Sequence, residues 1–174
     1  SGEALTLKNS AGLLIDSVNY ALSWYRDDDK KEGGWTLELI DPNNPCGEED
    51  NWEASENPMG GTPGKINSVS TNKPDVTGPK LLSVSVVQSD ELLLLFNEKL
   101  EKPLITNLFL ITPYTGISLA TFPSISLREV KLKLTQNLVP RTLYRVVISN
   151  LRDCHGNYIQ EKYNELSFAL PEAA

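Results

Sequence analysis

The chain has little of what reactive or membrane-inserted proteins need. Its 174 residues include two cysteines, one histidine and one methionine, too few and too far apart for the closely spaced Cys and His ligands of a zinc site. No Asn-x-Ser/Thr glycosylation acceptor occurs. The longest apolar run is Leu92 to Phe96, far below the roughly 18 residues that a membrane-spanning helix requires. A charged, apolar leader is also absent at the start, which by itself decides nothing about export. Basic residues are scarce. The net charge is −7, with −8 on residues 1–75 and +1 on residues 76–174. Nucleic acid is therefore excluded as an expected partner, because phosphate binding needs Lys and Arg clustered on one face.

What is present is a β pattern. In the first part, Leu5–Leu7, Leu13–Tyr20 and Trp35–Ile40 are short apolar or alternating runs, read as three strands of one sheet. Residues 41–64 contain four prolines and four glycines, so this stretch is expected to be an ordered loop. Residues 67–79 are polar and punctuated like a linker. Beyond Pro79 come seven candidate strands: 80–87, 91–97, 108–112, 116–122, 128–134, 143–150 and 165–170. Val130, Leu132 and Leu134 alternate with Lys131, Lys133 and Thr135, the signature of a strand with one buried face. One helical turn is expected near 159–163. The fold class is all-β, and the seven-strand spacing predicts an immunoglobulin-like sandwich. The expected boundaries are a first domain over 1–73, a linker over 74–79 and a second domain over 80–174.

Ordered motifs then carry two resemblances. Gly12 to Tyr20, Gly34-Trp-Thr-Leu-Glu38, the Pro45-Cys46 turn, Asn51-Trp-Glu-Ala-Ser55 and Gly60 to Val69 together resemble the C-terminal half of a bacterial lamin-tail domain. That resemblance implies a partial immunoglobulin-like sandwich and a further strand around Trp52. It also implies that the first strands of such a domain lie upstream of Ser1 or come from a neighbouring molecule, leaving sheet edges open to pairing between chains. Phe96-Asn97-Glu98, Leu138-Val-Pro-Arg-Thr-Leu-Tyr144 and Asp153-Cys-His-Gly-Asn157 resemble the bacterial immunoglobulin-like repeat of surface-layer proteins. The pair of resemblances implies a large secreted, periplasmic or cell-surface protein with a structural or adhesive role. It implies a protein or cell-surface partner, with glycan and homo-oligomer as further options, and no cofactor. A rival reading makes these domains accessory modules of a secreted nuclease or phosphatase whose catalytic domain lies elsewhere. A third reading is a glycan-binding module.

The oxidising compartment so implied favours a disulfide between Cys46 and Cys154, one cysteine in each domain. It would close a 108-residue loop and stabilise by about 4–5 kcal/mol in the chain-entropy model; two buried free thiols are the alternative that the residues leave open. His155 beside Cys154 resembles a nucleophile pair only superficially, since such a pair opposes across space and needs an orienting third group. A tight turn is expected instead, with Gly156 and Asn157 at positive φ and Asp153 accepting backbone N–H groups. The runs Asp27–Asp29 and Glu48–Asp50 lack the alternating ligands and bend glycine of a calcium loop, and read as solvated acidic loops. Gly60 to Lys65 lacks the Gly-Lys-Ser/Thr ending of a phosphate loop and reads as a turn. Among the aromatics, Trp35 is expected to be buried with Leu37 and Leu39 on one strand face. Trp24 and Trp52 flank loops and are the candidate exposed residues for surface or sugar binding. Tyr144 is expected to anchor a corner through its hydroxyl. No catalytic residue and no metal ligand are assigned.

Overall fold

The computed structural model describes residues 2–44 and 46–171 and divides into two units, residues 1–75 and 76–174. The described residues are all β, with short 3₁₀ turns and no α-helix.

The second unit contains seven strands: β5 (Leu81–Gln88), β6 (Glu91–Phe96), β7 (Phe109–Thr112), β8 (Ile117–Thr121), β9 (Glu129–Leu134), β10 (Tyr144–Ile148) and β11 (Glu165–Phe168). They form two antiparallel sheets, ordered β5-β6-β9-β8 and β11-β10-β7. The period of two decides which side chains face inward. Leu92, Leu94 and Phe96 alternate with half-exposed neighbours on β6, while Val130, Leu132 and Leu134 do so on β9. Register places Leu92 opposite Leu132 and Leu94 opposite Val130, so four almost fully buried side chains meet in the centre of one sheet. Ile111, Tyr144, Val146, Ile148 and Phe168 of the other sheet belong to the same apolar cluster, as two inner faces of an immunoglobulin-like sandwich should. On the outer face Lys131 pairs with Glu91 at 3.0 Å and Lys133 with Asp90 at 2.8 Å. The lysines expected to face water do so as half-exposed cross-strand ion pairs. Tyr144 anchors a corner as expected: the Val139 N–H donates to its hydroxyl at 3.0 Å.

The first unit is built differently. Strand β1 (Glu3–Lys8) pairs only with β2 (Leu14–Tyr20), and β3 (Leu37–Leu39) pairs with β4 (Trp52–Ala54). The expected single sheet of three strands is therefore corrected. The run at 35–40 finds its partner within the proline-rich stretch, where Trp52 to Ala54 offers a short β-compatible edge. The burial of the 35–40 run is corrected too. Trp35, Leu37 and Leu39 are half-buried, and the inward positions are Glu38 and Ile40. The buried-face assignment failed because the inward position is held by a carboxylate, which an apolar pattern cannot reveal. Gly60 lies at φ +82°, and a Cβ there would collide with the Gly34 carbonyl, so the turn over β3 accepts only glycine without rearrangement.

Much of the linker-like segment is bonded into one unit or the other. The Thr71 N–H donates to Ile40 O at 3.0 Å and the Lys73 N–H to Asp41 Oδ2 at 2.7 Å. On the other side, Gln160 donates to Pro79 O and Gly78 O, and a Cβ on Gly78 would collide with the Tyr158 carbonyl.

Because Leu132 is fully buried at the β6–β9 centre, Leu132→Ala is expected to destabilise the second unit by about 2–5 kcal/mol. Leu119→Ala on the exposed side of β8 should change stability by less than about 0.5 kcal/mol. Denaturant titration with a probe in each unit checks both.

Candidate functional site

The candidate residues distribute over several small polar constructions. Trp24 sits in a 3₁₀ turn over Leu22–Tyr25 and is only 4% exposed. Its ring lies 6.5 Å from that of Trp52, tilted by 31°. The expectation that Trp24 is exposed is thereby corrected: the turn folds its indole inward against Trp52, which is itself half-buried. An indole packed in this way has no free face on which a sugar ring can stack. Lys30 covers Trp35, with its ammonium 4.8 Å from the ring centroid.

Cys46 and Cys154 are both disulfide-bonded. Neither sulfur is then available as a thiolate nucleophile or ligand. Cys46 is fully buried, while Cys154 is exposed in a turn. That turn is held by Asp153, which is completely buried. Asp153 Oδ1 accepts the His155 N–H at 2.8 Å and the Asn157 N–H at 2.9 Å, and its Oδ2 accepts the Asn157 side-chain amide at 2.8 Å. Gly156 adopts φ +89°, whereas Asn157 is not among the positive-φ residues. Asn157 was expected to supply left-handed backbone; it acts instead as a donor to the carboxylate. The exposed His155 is set by its backbone, so the Asp-Cys-His-Gly-Asn motif is a turn.

The acidic runs behave as local scaffolding. Asp27 Oδ1 accepts the N–H groups of Asp29 and Lys30 at 2.9 and 3.1 Å. Asp28 pairs with Lys31 at 2.6 Å, and that ammonium holds the exposed carboxyl below its usual range. Arg26, beside the first run, reaches across to Asp50 at 3.4 Å and to Glu49 O at 3.1 Å, so the tertiary fold ties it to the second run 23 and 24 residues away.

Sequence reasoning missed the most perturbed group. Glu38 is 4% exposed. Burial pushes its carboxyl up, but donors outweigh that cost: Thr62 Oγ1 at 2.5 Å, Ser68 Oγ at 2.7 Å, the Ser68 N–H at 2.7 Å, and the Ser55 hydroxyl. Together they hold the pKa down at about 2. The donors come from the turn and tail that follow β4, so Glu38 is a hub clamping residues 55–68 over β3. Its only sequence signal is an acid inside a β run, beside a segment rich in Ser and Thr. Nearby, Asn51 Nδ2 donates to Asp41 O and Asn44 O at 2.7 and 2.6 Å. These polar bonds set the loop preceding β4.

The β1–β2 hairpin leaves several apolar side chains uncovered. Leu5, Leu7 and Ile15 are 51%, 59% and 61% exposed, and a shallow cleft is lined by Leu5, Thr6, Leu7, Asp16, Ser17 and Val18. Among the described residues no helix is long and apolar enough to cross a membrane.

Two packed antiparallel sheets closed by a tyrosine corner define the second unit as an immunoglobulin-like domain. Residues 70–169, more than half of the chain, match the family model of the bacterial Ig-like domain, and the chain belongs to that family. Solved structures similar to it include the surface layer protein SbsC, domains 1–6, at 26% identity over 57% of this chain and 15% of that one, with a TM-score of 0.49. The N-terminal part of the bacterial S-layer protein SbsC is 28% identical over 57% of this chain and 25% of that one, with a TM-score of 0.49. This chain spans a quarter or less of those chains. A search of curated proteins found no match.

Two outcomes are expected. Titration of thiols in denaturant without reductant should find no reactive sulfhydryl; two would contradict the oxidised state. For Glu38, a folded pKa near 2 against an ordinary 4.5 means that its contribution is complete above the unfolded value and is lost as pH falls toward 2, amounting to about 3 kcal/mol. Glu38→Gln should therefore lower the stability of the first unit at pH 7 by an amount of that order. It should also flatten the acid limb between pH 4.5 and 2, followed by Trp fluorescence.

Proposed function

We propose that the chain is a non-catalytic pair of modules from an exported bacterial surface protein, acting as a spacer and a protein-interaction unit. The observation that carries this is the bacterial Ig-like domain in a chain whose cysteines are both oxidised. Disulfides persist in secreted, periplasmic and cell-surface settings and are rare in a reducing cytosol. In this reading Cys46 and Cys154 bond to each other, since the chain has no other cysteine. The first unit is read as lamin-tail-like on the strength of its ordered motifs. Its β1–β2 hairpin is the partner-facing element. An isolated two-stranded sheet is marginal in water, and open edges with exposed leucines favour addition of a strand from another chain.

In cells producing the parent protein, an antibody to residues 76–171 should label intact cells or the secreted fraction, and external protease should remove the signal. Confinement to the cytosol would overturn the reading. Hydrolysis of a phosphodiester or ester by the purified chain, abolished by His155→Ala, would overturn its non-catalytic part.

A further inference from the structure

On the β1–β2 hairpin, carboxylates and apolar side chains share one face, and the register shows which residues they are. Opposite residues of an antiparallel pair lie on the same face, and alternate residues of each strand return to it. Glu3 pairs with Tyr20, Leu5 with Val18 and Leu7 with Asp16, so these six side chains form one face. The Tyr20 hydroxyl donates to Glu3 Oε2 across it at 3.5 Å. Leu5, Leu7 and Val18 make its apolar centre and, with Asp16, line the shallow cleft. Glu3 and Asp16 stand at opposite corners, four residue positions apart along the ladder, about 13 Å at a strand rise of roughly 3.3 Å per residue. The face has two carboxylates and no cation. Lys8, the only basic residue between Glu3 and Tyr20, follows Leu7 and so belongs to the other face. Among the described residues no Lys or Arg forms an ion pair with either acid.

We infer that this face docks a β-segment of another protein that presents an apolar side chain between two cations, in the order Lys/Arg-x-apolar-x-Lys/Arg. The inference rests on the reading of the hairpin as the partner-facing element. In a strand, positions i, i+2 and i+4 line one face, and the outer two stand about 13 Å apart, which is the spacing of Glu3 and Asp16 along the ladder. A segment laid from corner to corner crosses the hairpin at about 20°, inside the roughly 30° of aligned sheet packing. Its apolar residue then covers Leu5, Leu7 and Val18 while each cation reaches one carboxylate. Charge decides against other occupants. A second copy docking by the same face brings only further carboxylates to it, and its residues 1–75 add another charge of −8. An anionic bilayer attracts Lys and Arg, and this face has neither. Opposite charge on a partner steers the encounter and fixes its register.

Peptide binding to the full chain tests this. The probes are a labelled peptide, Lys-Thr-Val-Thr-Lys-Thr-Val-Thr-Lys, and one of the same composition in the order Lys-Lys-Lys-Thr-Thr-Thr-Thr-Val-Val, both followed by fluorescence anisotropy. The alternating peptide should bind about tenfold more tightly than the block peptide, because only alternation sets lysines and valines on one face. Its binding should weaken as salt rises. Leu5→Ser should weaken it about three- to tenfold. The double variant Glu3→Lys, Asp16→Lys should reverse the preference, binding the analogue with Glu at each Lys position in place of the original. These three positions are exposed, and unchanged Trp emission from the first unit shows that the variants keep the fold. Equal binding of the two peptides, or none at about 1 mM peptide, would overturn the inference. So would a dimer of the chain alone, or binding to phosphatidylglycerol vesicles, that Leu5→Ser abolishes. Each of these results would leave the surface-module reading intact, because that reading fails on cell labelling and not on peptide binding.

Discussion

The second unit depends on one apolar layer, the meeting of Leu92 and Leu94 on β6 with Leu132 and Val130 on β9. These four side chains are fully buried, each contributing roughly 1.5–3 kcal/mol of burial. They also determine register. A slip by one residue would turn the leucines outward and bring Lys131 and Lys133 into the core, which burial of unpaired charge forbids. Everything else in that unit is arranged around the layer: the opposite sheet packs over it, Tyr144 closes a corner, and buried Asp153 holds the turn that carries Cys154.

The first unit answers the same problem with polar chemistry. The extended apolar cluster lies entirely in the second unit, while the first places the carboxylate of Glu38 at an inward strand position and surrounds it with hydroxyl and N–H donors. A buried carboxylate is costly alone and stabilising when fully bonded. The result is a unit organised by a few directional bonds, with one hairpin left outside. The leucines of that hairpin, Leu5 and Leu7, stay exposed instead of joining a core.

The functional reading follows from this division of labour. The second unit supplies a two-sheet body packed around one apolar cluster. Oxidised cysteines suit an exported setting. The candidate groups that looked reactive in isolation are satisfied by backbone or by each other: His155 sits in an Asp153-bonded turn, Asp28 faces Lys31, and Trp24 faces Trp52. An immunoglobulin-like fold hosts many functions, so the role rests on these particular features and on the family, not on the fold alone.

Strand positions in the second unit were legible in the sequence because alternation there is enforced by a two-sheet core: all seven expected runs became strands, the first shifted by one residue to 81–88 and the other six shortened by one to three residues. The Tyr144 anchor and the turn at Asp27 could be read because their bonds are local. Only the tertiary structure decided the rest. Which strand Leu37–Leu39 pairs with, that Trp24 turns inward, and that Glu38 is the hub all depend on donors and surfaces brought from 13 or more residues away. Period and composition report how a residue relates to its own strand. They carry no information about which distant groups arrive to satisfy it, and in a unit held by hydrogen bonds instead of an apolar layer, those arrivals are the fold.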